Sequence, residues 1–146
     1  MSDFRILSDT MLASPQISPG DLATARNDGV TLIINNRPEG EAQDQTPGPE
    51  IEAEARKQGM DYLAIPITHA GFSAVQVEEL AKALAGAQGK VLGYCRSGTR
   101  STLLWALARS SMGDDPAQLA EAARSAGYDV SSIHPAMEAL AANAKA

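Results

Sequence analysis

Short apolar runs of strand type alternate with helical patterns along this chain, and that alternation restricts the fold more than any other feature. Thr31-Leu32-Ile33-Ile34-Asn35-Asn36 reads as a buried strand. It ends at Arg37-Pro38-Glu39-Gly40, because proline cannot continue a ladder and glycine permits a turn. Glu50 to Gln58 reads as a helix with acids early and bases late, stopped by Gly59. Tyr62 to Ile67 is a second strand, with Pro66 near its end. Ser73 is placed to cap a helix reaching about Ala85, with Val77, Leu80, Ala81 and Leu84 at helical spacing. Val91 to Tyr94 supplies a third strand. Upstream, Ser18 is the expected cap of a short helix with Pro19 in its first turn and Gly29 near its end. Downstream, helices are expected from Pro116 to about Ala126 and from His134 or Pro135 to about Asn143. The expectation for residues 1–146 is one α/β domain: a central, mainly parallel sheet with helices on both faces. Ligands of such sheets bind beyond the carboxyl ends of the strands, so the turns after Asn36, Ile67 and Tyr94 should meet at one rim.

The third of these turns carries the chemistry. Cys95-Arg96-Ser97-Gly98-Thr99-Arg100-Ser101 joins the strand to the helical run Thr102-Leu103-Leu104-Trp105-Ala106-Leu107-Ala108, and Cys95 is the only cysteine of the chain. A loop that opens a helix presents unpaired N–H groups, and the helix dipole adds about half a positive charge there. A thiol at such a place, beside arginine, is drawn toward the thiolate. Arg96 or Arg100 can hold an oxyanion through two parallel N–H bonds, where lysine offers a point charge. A free cysteine is often a small core residue, but two arginines, two serines, a threonine and a glycine within six residues are poor core material. The run describes a nucleophile, Cys95, in an anion cradle formed by Arg96, Ser97, Gly98, Thr99 and Arg100. Ser101 has two readings: its hydroxyl donates to the thiolate, or it caps the following helix. Leu104 and Trp105 read as core.

Composition narrows the classes. At 146 residues with a net charge of −6, the chain is no general nucleic-acid binder. No apolar run approaches a membrane span, and Met1-Ser2-Asp3-Phe4-Arg5 is not a basic n-region before an apolar stretch. The expected location is the cytoplasm, with no membrane association. One cysteine rules out an intramolecular disulfide framework, and His69 and His134 lack metal-ligand spacing. No dinucleotide or Walker fingerprint occurs, so neither a metal nor a cofactor is expected.

The chain resembles the phosphatase-like domain of beta-lactamase hydrolase-like proteins, a bacterial family with a fold similar to dual-specificity phosphatases. The resemblance rests on Gln16-Ile17-Ser18-Pro19-Gly20-Asp21-Leu22, Ile34-Asn35-Asn36-Arg37-Pro38-Glu39-Gly40-Glu41, Ile65-Pro66-Ile67, and Tyr94-Cys95-Arg96-Ser97-Gly98-Thr99-Arg100-Ser101 with Leu104-Trp105-Ala106. It covers roughly residues 3 to 110. The family is read both as phosphatase-like and as sulfur-transferring, and occurs near or fused to enzymes of sulfide and persulfide metabolism. An enzyme of sulfur metabolism is therefore among the partners the resemblance implies.

Two counts separate these chemistries. Cysteine phosphatases carry five residues between the nucleophile and the loop arginine, commonly with histidine before the cysteine; here four separate Cys95 from Arg100, and Tyr94 precedes. The shorter loop is similar to that of rhodanese-type sulfurtransferases. Phosphate ester cleavage also needs a proton donor for the leaving oxygen. Dual-specificity phosphatases take it from an aspartate about thirty residues before the cysteine, but Ile65 to Ser73 holds no carboxylate and His69 is its only titratable side chain. Asp61 is expected at the opposite end of its strand. The expected activity is sulfur transfer through a Cys95 persulfide, with a small anionic substrate or persulfide as donor and acceptor. The alternative is a phosphatase with a phosphocysteine at Cys95 and His69 or water as acid; a further one is a catalytically silent anion-binding module. Arg37 either helps hold the anion or pairs with Glu39 and Glu41 in solvent.

Overall fold

A computed structural model describes residues 2–145. The strands are β1 (Arg5–Ser8), β2 (Met11–Ser14), β3 (Val30–Asn35), β4 (Asp61–Ala64) and β5 (Lys90–Tyr94). The helices are α1 (Asp21–Asn27), α2 (Gly48–Lys57), α3 (Ala74–Gly86), α4 (Thr99–Ser111), α5 (Pro116–Ser125) and α6 (His134–Ala144). The sheet order is β1-β2-β5-β3-β4, parallel except for the antiparallel β1–β2 pair.

Within the strand run read at Thr31, Leu32-Ile33-Ile34 is unbroken apolar sequence because both sheet faces are covered. Side chains alternate across a strand, so Ile33 packs with Leu22, Ala25, Ile51 and Ala55 of α1 and α2, while Ile34 belongs to the cluster of α3 to α6. Helix α4 is central to the second layer, against α3, α5 and α6. It buries Leu104, Trp105, Ala106, Leu107 and Ala108, which leaves it almost no amphipathic stripe. Leu104, fully buried, contributes about 1.5–3 kcal/mol by burial alone. Gly93 of β5 lets α4 start close to the sheet: a Cβ there would lie 3.0 Å from Met11 Cε and 3.4 Å from Ser101 Cβ.

Several boundaries differ from the sequence expectation for identifiable reasons. Ser18 does not cap α1; Gly20 holds that position, and Ser18 N–H donates to Asp21 Oδ2 at 2.8 Å in a turn ahead of the helix. Helix α2 begins two residues early, at Gly48-Pro49, where the missing N–H of proline costs nothing. The second strand ends at Ala64, but Ile65 and Ile67 still donate to Asn35 and Asn36 carbonyls, at 2.9 and 3.0 Å, on either side of the donorless Pro66. The capping box of α3 is present, Ser73 accepting from Gln76 N–H and Gln76 reaching back to Ser73 N–H. Among the described residues no helix is long and apolar enough to cross a membrane.

Candidate active site

The ends of β3, β4 and β5 do meet, and Cys95 lies at the junction. Its N–H donates to Ser14 O at 3.4 Å, and Asn36 N–H donates to Tyr94 O at 2.9 Å, which ties the strand end to both neighbours. Cys95 is fully buried. Gly98, the N-cap of α4, adopts φ +92°, a left-handed conformation that glycine reaches without strain. Its N–H donates to Cys95 Sγ at 3.1 Å. The first turn of α4 points its amides at the same end, and Ser97 Oγ accepts from Thr99 N–H at 3.3 Å. Arg96, Ser97 and Thr99 are exposed along the loop, while Gly98 is buried.

Arg100 sits one step into α4, and its guanidinium is already engaged. Its two terminal nitrogens each donate to a separate oxygen of Glu41 at 2.8 Å, and one also donates to Ile67 O at 2.9 Å. Arg37, only 5% exposed, donates through Nε to the same carboxylate at 2.9 Å and through a terminal nitrogen to Gln16 Oε1 at 3.0 Å. Arg37 is thus paired with Glu41; the guanidinium is buried, while Glu41 stands at the exposed rim. Glu39 is spent elsewhere, accepting from Gly48 N–H at 2.8 Å.

The two arginines set the state of Glu41. The bonds from Arg100, against some burial and with help from Arg37, hold its carboxyl at about 2. Arg100 is raised in turn, foremost by Glu41, and the charge of Cys95 raises it further, so this guanidinium faces both the carboxylate and the thiol. Glu41 carries no proton to donate near neutral pH. It is nonetheless a carboxylate at the rim, supplied by the β3–α2 connection.

Ser101 donates to Asn36 Oδ1 at 2.7 Å, and Asn36 Nδ2 donates to Ile65 O at 2.9 Å. This corrects both readings of Ser101: its hydroxyl is bonded to Asn36 rather than to the thiol, and Gly98 is the N-cap. The pair braces the β3 turn against α4, with Ser101 and Asn36 both buried. His69 is exposed in the Thr68–Gly71 turn. Leu104 and Trp105 lie in the core.

Three contributors escaped the sequence reading. From sequence, Glu41 reads only as a solvent partner of Arg37. Gln16 closes on Arg37, and its N–H donates to Arg96 O at 3.2 Å. Tyr128 comes from beyond α5, and its hydroxyl donates to Ser97 O at 3.0 Å. No local signal in the sequence marks it.

Comparison with known proteins agrees with this architecture. The model of the family "Beta-lactamase hydrolase-like protein, phosphatase-like domain" matches residues 3–112. A beta-lactamase hydrolase-like protein of Xylella fastidiosa is 30% identical over 101 residues, spanning 69% of this chain and 23% of that protein. One from Agrobacterium fabrum is 31% identical over 98 residues, 67% of this chain and 22% of that protein. The matched segment is therefore under a quarter of these relatives' length. Among solved structures, a phosphatase candidate from Neisseria meningitidis superposes with a TM-score of 0.82 at 26% identity, covering 96% of this chain and 99% of that one. The kinase associated phosphatase superposes at 0.75 with 16% identity over 100% of this chain and 96% of that one, a likeness of fold.

Proposed function

We propose that this chain, which belongs to the phosphatase-like domain family of beta-lactamase hydrolase-like proteins, is a Cys95-dependent enzyme that transfers sulfane sulfur between small thiols or oxyanions. The observation that carries this reading is the Glu41–Arg100 pair. In a phosphatase the loop arginine binds the equatorial oxygens of the phosphoryl group with its two parallel N–H donors. Here that fork is occupied by a carboxylate ionised near neutral pH. A phosphate dianion would have to displace Glu41 or lie against its charge, and the Ile65 to Ser73 segment offers no carboxylic acid for its leaving oxygen. A persulfide or thiosulfonate makes smaller demands, because its leaving group departs as a weakly basic thiolate or as sulfite.

The steps balance without an oxidant. Cys95 thiolate attacks the outer sulfur of the donor; the Sγ–S bond forms, the donor S–S bond breaks, and its electron pair leaves with the thiolate or sulfite. Gly98 N–H and the amides of the first turn of α4 stabilise negative charge on the Cys95 persulfide. An acceptor thiolate then attacks the terminal sulfur, and Cys95 leaves as thiolate. The four-residue spacing from Cys95 to Arg100 fits this smaller group.

The second reading is a phosphatase with a phosphocysteine at Cys95. It is favoured by the names and folds of the relatives, which are phosphatase-like. It requires Glu41 to swing off Arg100 when phosphate binds, and His69 or water to protonate the leaving group. Turnover of thiosulfate with cyanide, set beside hydrolysis of an aryl phosphate on the same preparation and a Cys95→Ser blank, separates the two. Sulfur transfer should exceed phosphate release by at least about a hundredfold in kcat/KM, a gap of ~2.7 kcal/mol at the transition state. The reverse order contradicts the proposal.

A further inference from the structure

Tyr128 lies outside the segment matched by the family model, residues 3–112, yet it reaches the centre of the cysteine loop. Its backbone is fixed at the end of α5, where Tyr128 N–H donates to Ala123 O at 2.9 Å. Its ring is buried, with the Arg5 guanidinium 5.0 Å over the centroid. From there Oη donates to the carbonyl of Ser97. The same peptide unit that carries this carbonyl carries the N–H of Gly98, which donates to Cys95 Sγ at 3.1 Å. A peptide bond is planar and trans, so its C=O and N–H point in opposite directions. Fixing the carbonyl toward Tyr128 therefore fixes the N–H toward the sulfur.

We propose that Tyr128 is a positioning residue that holds the Ser97–Gly98 peptide in the orientation that turns its N–H onto the Cys95 thiolate. The opposite orientation would aim the Ser97 carbonyl oxygen at the sulfur, a lone pair against a negative charge. Glycine at 98 leaves that peptide free to turn, since φ +92° imposes no side-chain barrier. The position a side chain would take is occupied: a Cβ on Gly98 would lie 2.8 Å from Tyr128 Cζ and collide with its hydroxyl. Burial, opposed by Arg5 and then reinforced by the charge of Cys95, raises the phenol above its ordinary range, so Oη remains a donor. Among the described residues, Arg100 and Tyr128 are the groups coupled to the charge of Cys95. Both keep one protonation state through the range in which a thiol titrates.

The role rests on Cys95 working as a thiolate, and applies to sulfur or phosphate chemistry alike. Its test is the ultraviolet titration of the thiolate in the wild type and in Tyr128→Phe, each read against its own Cys95→Ser counterpart. Phenylalanine keeps the ring under Arg5, so the fold should survive, and the thermal midpoint of both proteins is recorded alongside. Loss of one orienting hydrogen bond onto a charged group should move the titration midpoint up by about one pH unit. The rate of Cys95 alkylation at neutral pH should fall in step. A midpoint that is low and identical in both proteins, even with a lowered thermal midpoint, leaves Tyr128 a purely structural residue and overturns the proposal. An ordinary thiol midpoint in both overturns the thiolate reading and the positioning role with it. Tyr128→Trp, whose indole N–H restores a donor on a ring, should recover part of the shift if it folds; recovery of stability without recovery of the midpoint also counts against the proposal.

Discussion

Glu41 closes on Arg100 through two parallel hydrogen bonds of 2.8 Å, so the anion cradle of this loop comes with an anion of its own. The carboxylate also binds Arg37 at 2.9 Å. Two guanidiniums share one carboxylate, so this cluster carries a net single positive charge. That charge suits a singly charged or soft substrate better than a dianion.

Glu41→Gln should remove the resident negative charge from both guanidiniums while keeping the shape of the side chain. Inorganic phosphate or sulfate should then bind at least about tenfold more tightly, ~1.4 kcal/mol, by calorimetric titration. Stability should fall by about 1–3 kcal/mol, because nearly buried Arg37 loses its counter-charge. Unchanged anion affinity would show that Glu41 does not compete for the cradle.

The same carboxylate sets an acid limit. Its folded-state value of about 2 lies below the value of about 4.3 for a free glutamate. The stability it contributes is therefore complete above the unfolded value and is lost as the pH falls from there toward about 2. Urea midpoints followed through that acid window should drop more steeply for the wild type than for Glu41→Gln. Parallel slopes would place the acid sensitivity in another group.

Arg100→Lys keeps the charge and removes the fork. Sulfur transfer should fall by at least about tenfold, since lysine cannot hold Glu41 bidentately while reaching Ile67 O. Retention of activity would reduce the role of Arg100 to its charge.

His69→Ala should leave sulfur transfer within about twofold, because His69 lies exposed in its turn and a weakly basic leaving thiolate or sulfite needs no proton donor. A tenfold loss, ~1.4 kcal/mol, would make it a participant and strengthen the phosphatase reading.

Ser101→Ala should cost about 1–2 kcal/mol by chemical denaturation, because buried Asn36 Oδ1 loses its donor. The Cys95 titration midpoint should stay within about half a unit. A larger upward shift would mean that the hydroxyl rotates onto the sulfur in solution.

The sequence was most legible where one segment determines its own structure. The cysteine loop, the capping box at Ser73 and the apolar strand at Thr31 follow from local chemistry, and the three strand ends meet as parallel topology requires. Strands β1 and β2 were invisible by the same logic. Each has four residues, β2 is buried on every one, and its pairing is set by β5 some eighty residues away. Ser101 was misread because its partner, Asn36, lies 65 residues earlier. Glu41 and Tyr128 act across 59 and 31 residues respectively, distances over which hydrogen-bond partners leave no periodic trace.

The most direct measurement is the intact mass of the purified protein after incubation with glutathione persulfide or thiosulfate, repeated on Cys95→Ser and after cyanide treatment. Sulfur transfer predicts a gain of one sulfur, about 32 Da, that cyanide removes and that Cys95→Ser never acquires. Absence of the adduct, together with Cys95-dependent hydrolysis of an aryl phosphate, would contradict it and leave the phosphatase in its place.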